Sequence, residues 1–182
     1  MRIGLRRHFP IDERPSGWRT AAELVAWRDS YDQAGAIVGA ADLGSGGWQA
    51  CLSSDLPRTL ITAQTVFSGP IEATPLLREA QFTPFGTGGL RLPVWAWQLV
   101  LRGAWMTGHR SQRACRDNFR ERVLTVVERL CGQEVDTLVV SHAGMMAYLS
   151  AELRRRGFVG PRLRIARHAT VYAYENRPEG RG

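Results

Sequence analysis

The chain has 182 residues, 44% of them hydrophobic and 23% charged, which excludes a disordered or fibrous chain and favours one folded domain with a sizeable core. All 24 basic residues are arginine, against 17 acids, giving a net charge of +7. With no lysine, a Walker A loop, a protein kinase and a Schiff-base or pyridoxal enzyme are excluded, whereas planar guanidinium forks favour partners that carry phosphate or carboxylate.

Ile3 to Leu5 reads as a buried strand that ends at Arg6-Arg7-His8. The turn-formers Pro10, Asp12, Pro15, Ser16 and Gly17 then make a loop. Thr20-Ala-Ala-Glu23 is a capping box that opens a helix with Leu24, Trp27 and Tyr31 on one face, stopping near Gly35. Gly39 to Gly47 is a Gly/Ala-rich connector; its GSGG stretch lacks the Gly-Lys-Ser/Thr of a phosphate loop. Ala50 to Ser54 is a second strand, after which Asp55 is expected to cap a helix with Arg58 in its first turn. Ile71 to Ala73 is a short strand, and Leu76 to Glu79 leads into a turn-rich patch ending at Gly89.

Leu92 to Trp105 reads as a helix whose Trp95, Trp97 and Trp105 are core packing or the lining of a substrate cap. From Ser111, Cys115, Phe119, Val123, Val126, Val127 and Leu130 recur at spacings of three and four, the pattern of an amphipathic helix. Thr137 to Ser141 is a continuous apolar strand of the kind buried on both faces of a parallel sheet, with His142 at its C-terminal end and a helix from Gly144 to Arg155 behind it. Leu163 to Ile165 and Thr170 to Tyr174 read as two closing strands. Strands alternating with helices predict an α/β fold, a single three-layer domain over residues 1–182 with a mostly parallel central sheet flanked by helices, and a ligand site outside the carboxyl ends of the strands. Residues about 80–110 are the expected position of a substrate-cap insertion.

Cys51, Cys115 and Cys131 are widely separated, with no CxxC pair, and the four histidines show no HxH or HExxH spacing, so neither a disulfide framework nor a metal site is expected. The first residues are too polar for a signal peptide, and no apolar run approaches about 18 residues, so a cytoplasmic location without a membrane partner is expected. The Arg154-Arg155-Arg156 run reads as a solvated helix face, without an RNA-binding signature beside it.

His8 and His142 both follow predicted strands, which places them on one rim of the sheet together with Arg7 and with Arg58 at a helix start. Two histidines and two arginines on one spot suit a phosphoryl group, with a neutral imidazole as the nucleophile. His109 reads as exposed loop. Arg167-His168 repeats the Arg-His pair but precedes the last strand instead of following one, and is therefore read as unrelated to the site.

Four blocks carry a resemblance: Leu5-Arg-Arg7-His8, Ser53-Ser54-Asp55-Leu-Pro-Arg58-Thr-Leu-Ile-Thr62-Ala63, Leu77-Arg-Glu79 and Val139-Val-Ser-His142-Ala-Gly144. In order and spacing the chain resembles the histidine phosphatase, or phosphoglycerate mutase-like, superfamily. The resemblance implies that His8 is phosphorylated, that Arg7, Arg58 and His142 bind the phosphoryl group, and that Glu79 protonates the leaving oxygen, with no metal and no cofactor. Two departures stand out. Phe9-Pro10 follows His8 where the family usually has a small residue, so a bulky ring is expected to shape the pocket wall. After Glu79, where the family often has Gly-x-Trp-Glu-Gly, the chain reads Ala-Gln-Phe-Thr-Pro-Phe-Gly, which leaves Asp12 and Glu13 as other candidate acids.

The expected function is hydrolysis of a small organic phosphate monoester through a phosphohistidine. The alternatives are a phosphomutase of the same family and a catalytically silent module that binds a phosphorylated ligand or RNA. The expected partner is a small phosphorylated substrate, not nucleic acid, and the oligomeric state is left open, a homodimer being the one candidate named.

Overall fold

Among residues 1–12, 16–39 and 46–176, which the computed structural model describes, six strands form the central sheet. Their order is β4 (Ile71–Thr74), β3 (Ala50–Ser54), β6 (Thr137–Ser141), β1 (Arg2–Arg7), β8 (Val171–Asn176) and β7 (Phe158–Val159). The first four run parallel, β8 is antiparallel to β1, and β7 is antiparallel to β8.

Side chains alternate across a pleated strand, so each buried strand feeds two cores. Ile3, Leu5, Leu52 and Val139 face the core built by α4 (Arg113–Cys131) and α5 (Ala143–Arg155), into which Phe119, Val123, Val127, Met145 and Leu149 pack. Cys51, Leu138 and Val140 face the opposite core, with Ala63 of α2 (Pro57–Val66). All five residues of β6 are buried, as its unbroken apolar run predicts. Gly4 lies between Ile3 and Leu5 where the Trp48 ring crosses β1; a Cβ there would come within 2.6 Å of that ring.

The capping box forms as read: the Thr20 hydroxyl accepts from the Glu23 amide at 3.2 Å, and the Glu23 carboxylate accepts from the Thr20 amide at 2.7 Å, opening α1 (Ala21–Gln33). The tryptophan-rich helix, α3 (Val94–Thr107), starts later than expected because Leu92–Pro93 (β5) pairs with Trp18–Arg19 (β2). That two-stranded ribbon ties the entries of α1 and α3 together. Trp97 and Trp105 are buried, whereas Trp95 is 66% exposed and is not core. His109 is exposed, and Arg155 and Arg156 pair with Glu152 on an exposed helix end.

Two local readings are corrected. Asp55 does not cap α2: Leu56 holds the N-cap position with no side-chain bond. The Asp55 carboxylate instead accepts two bonds of 2.7 Å from the Arg78 guanidinium, a bidentate pairing stronger than a single cap bond. Leu163 to Ile165 is not a strand. The place beside β8 is taken by Phe158–Val159, Gly160-Pro161 breaks the extension, and the Leu163 amide donates to Ser150 Oγ at 3.3 Å instead of to a ladder. Of the Gly39–Gly47 connector, residues 40–45 lie outside the described residues. The three cysteines are free, and no helix of the described residues is long and apolar enough to cross a membrane.

Candidate active site

Parallel pairing of β1 with β6 sets Arg7 opposite Ser141, so the residues after each strand, His8 and His142, emerge side by side at the carboxyl edge of the sheet. Their ring centroids are 5.2 Å apart at an interplanar angle of 60°, near enough for both to face one phosphoryl group. They are 3% and 2% exposed. The His8 amide donates to the Ser141 carbonyl at 3.1 Å, which carries the sheet ladder one residue beyond β1.

His8 Nδ1 lies 2.6 Å from the carbonyl oxygen of Phe9. A carbonyl can only accept, so Nδ1 carries the proton and Nε2 of the neutral ring keeps its lone pair. Burial pushes the His8 imidazole down to about 3; the Phe9 carbonyl opposes this, and the nearby charge of Arg58 adds to it. His142 is held neutral by the same desolvation, reinforced by Arg58, His8 and Arg7, and its Nε2 lies 3.1 Å from Ser54 Oγ. The Phe9 amide donates to Thr62 Oγ1 at 2.9 Å, and that hydroxyl donates to the Arg58 carbonyl at 2.7 Å. Thr62 of the second sequence block is thus hydrogen-bonded to Phe9, the residue that follows the first block.

Arg58 is buried on α2. Its guanidinium donates to the Tyr31 carbonyl at 3.1 Å and to Asp32 Oδ1 at 2.9 Å, and lies 4.8 Å from the Tyr31 ring centroid. Arg7 donates to the Ala166 carbonyl at 2.8 Å. The Nε atoms of both arginines are buried without a hydrogen-bond partner among the described residues, an arrangement that an anionic oxygen would complete. Glu79 reaches the start of α5, where its Oε2 accepts from the Gly144 amide at 2.8 Å and its Oε1 from the Met145 amide at 3.0 Å. Its oxygens thereby satisfy two of the amides left free at a helix N-terminus. Asp12 is exposed, and Glu13 lies outside the described residues.

A cavity of about 400 Å3 opens beside these groups, lined by Arg7, Arg58 and Glu79, by Leu24, Trp27, Arg28, Tyr31 and Asp32 of α1, by Phe82, and by Gln98, Leu101 and Arg102 of α3. Arg7 and Arg58 are on its lining, whereas His8 and His142 are not. Phe9 does not shape this wall: its ring is 1% exposed, with the Arg6 guanidinium 5.5 Å from its centroid, and it serves the site through its carbonyl and amide.

His168 overturns its sequence reading. β8 runs antiparallel to β1, with Arg6 paired to Val171, so the residues before β8 lie at the same rim as the residues after β1. The His168 ring centroid is 5.2 Å from that of His8. The repeated Arg-His pair was the available signal; strand direction was the missing fact. Tyr31 and Asp32, which hold Arg58, were likewise missed, since nothing in their local sequence points to a residue on another helix.

A sequence profile described as Histidine phosphatase superfamily (branch 1) matches residues 29–181. Among solved structures, a putative alpha-ribazole-5'-P phosphatase from Escherichia coli str. K-12 substr. MG1655 superposes with a TM-score of 0.51 at 21% identity, covering 84% of this chain and 79% of that one. A phosphoglycerate mutase from Thermus thermophilus gives a TM-score of 0.55 at 18% identity, covering 95% and 92%. At these identities the likeness is one of fold, and the fold is phosphoglycerate mutase-like. No curated protein matches the chain in sequence.

Proposed function

Because the chain belongs to the histidine phosphatase superfamily, branch 1, we propose that it is a phosphatase that hydrolyses an organic phosphate monoester through a phosphohistidine at His8, its own side chains supplying the chemistry without a metal. The observation that carries this reading is the 2.6 Å contact between His8 Nδ1 and the Phe9 carbonyl, which leaves Nε2 as a nucleophile beside Arg7 and Arg58.

In the first step Nε2 attacks phosphorus, the N–P bond forms as the ester P–O bond breaks, and the leaving oxygen takes a proton from Glu79. In the second, water attacks the phosphohistidine, Glu79 takes a proton from that water, the N–P bond breaks and inorganic phosphate leaves. Arg7, Arg58 and His142 bind the equatorial oxygens, where fixed donors stabilise the charge of the transition state. Entry of the phosphoryl group competes with Asp32 for Arg58, since both anions seek the same fork.

The cavity is larger than a phosphoryl group, and its walls combine apolar side chains of α1 and α3 with Arg28 and Arg102. That lining suits an ester whose alcohol carries an apolar body, with α3 and the residues before it, about 80–110, acting as the substrate cap.

The test is a screen of phosphate monoesters for phosphate release with and without a chelator, alongside His8→Ala. Release that survives chelation and vanishes in His8→Ala supports the reading. Transfer to a second hydroxyl of the substrate instead of to water identifies a mutase, and tight binding without release from any ester identifies a silent binding module.

A further inference from the structure

The segment before β8 is built around the end of β1. His168 Nδ1 lies 2.8 Å from the carbonyl oxygen of His8, the Ala169 amide donates to the Arg7 carbonyl at 3.3 Å, and Arg7 reaches back to the Ala166 carbonyl at 2.8 Å. The segment is itself held: the Arg167 amide donates to the Tyr172 hydroxyl at 3.0 Å, and Thr170 Oγ1 donates to the His168 carbonyl at 3.2 Å. Ala169 has a φ of 57°, which no other non-glycine among the described residues shares in sign. Such left-handed backbone is costly for alanine and persists where surrounding contacts over-determine it, typically at a functional site.

We propose that His168 is a positioning residue for the His8 nucleophile, clamping the His8–Phe9 peptide so that the Phe9 carbonyl stays aimed at His8 Nδ1. The proposal rests on the reading of His8 as nucleophile and deepens it.

The His8–Phe9 peptide plane has two polar ends. Its carbonyl accepts from His168, and its amide donates to Thr62 Oγ1 at 2.9 Å. With both ends held, the plane cannot rotate, which fixes the Cα positions of His8 and Phe9. The Phe9 carbonyl belongs to the next peptide, and from that fixed Cα its direction is confined by Pro10, which restricts the residue before it to extended backbone. That carbonyl selects the tautomer with Nδ1 protonated and fixes the direction of the Nε2 lone pair. Because the clamping partner is also a carbonyl, His168 must present Nδ1–H to it. The T-shaped contact of the His168 ring on the His8 ring, at 68°, limits rotation of the nucleophile from a second side.

The experiment compares the wild type with His168→Ala, His168→Asn and His168→Gln. The readouts are kcat and KM on p-nitrophenyl phosphate, and the 15N shifts of the His8 ring. Asparagine places an amide N–H near the position of Nδ1, and glutamine near that of Nε2. The Ala and Gln variants are expected to lose kcat by about 10–100-fold with KM changed less than about twofold, because misplacement of the nucleophile acts on the chemical step. The Asn variant is expected to stay within about threefold of the wild type in kcat, since it restores the clamp.

In the ring spectra, the wild type and Asn variant should show His8 protonated on Nδ1, and the Ala variant a mixture of tautomers. Unchanged kcat and tautomer in the Ala variant, or equal losses in Asn and Gln, overturn the clamp. If the wild type releases no phosphate from any ester, the phosphatase reading has failed, and the ring spectra still decide the clamp by themselves. Far-ultraviolet circular dichroism and the thermal midpoint identify a variant that has not folded; in that case the Asn and Gln pair decides.

Discussion

Lowering the pH from 8 to 5 should cost this protein stability through His8, and the cost can be read by removing that one ring. In the folded state burial holds the imidazole unprotonated down to about 3, whereas in the unfolded chain it takes up a proton near its ordinary 6.5. Between those values the unfolded chain binds more protons, so stability falls as the pH falls. The loss begins below about 6.5 and is complete once the folded ring titrates near 3. At pH 5 the contribution of one such ring is about 2 kcal/mol. Urea unfolding of the wild type and of His8→Asn, at both pH values and in phosphate-free buffer so that no bound anion stabilises the fold, isolates the effect. His142 is also held neutral, chiefly by its own burial, which His8→Asn leaves in place, so most of its share is common to both proteins. The variant should lose about 2 kcal/mol less than the wild type over this interval. Losses equal within about 0.5 kcal/mol, roughly the accuracy of such differences, would refute the argument that burial holds His8 neutral.

Two further outcomes concern Glu79. Replacing it with glutamine removes the proton donor, so an alkyl phosphate, whose leaving alkoxide needs protonation, should slow by about 100-fold or more, whereas p-nitrophenyl phosphate should slow only a few-fold; steady-state kinetics on the two esters checks this, and equal losses would leave Glu79 a structural role. Gly144→Ala places a Cβ against Glu79 Oε1 and 3.0 Å from its Cδ, at the point where the Gly144 amide holds the carboxylate. The displaced carboxylate should reproduce the leaving-group dependence of Glu79→Gln with the thermal midpoint little changed, and wild-type kinetics in Gly144→Ala would show that its position does not matter.

Much of this protein was legible from local patterns, because the physics there is local. The Thr20–Glu23 capping box needs only four residues in succession, the stripe from Phe119 to Leu130 needs only the helical period, and the buried strand Thr137–Ser141 declares itself by an apolar run with no polar face. Strands followed by histidines, with parallel order implied by intervening helices, are enough in the sequence alone to bring His8 and His142 together. Tertiary structure decided what depends on direction and on partners from elsewhere. Asp55 left its cap because Arg78, distant in sequence, offered a bidentate fork. Arg58 found Asp32 on another helix, and Glu79 found the amides of α5. Above all, β8 returns antiparallel beside β1, which carries His168 from the wrong end of its strand to the carbonyl of His8. A sequence marks where a strand is; only pairing across the sheet sets which way it runs, and so which of its ends meets the site.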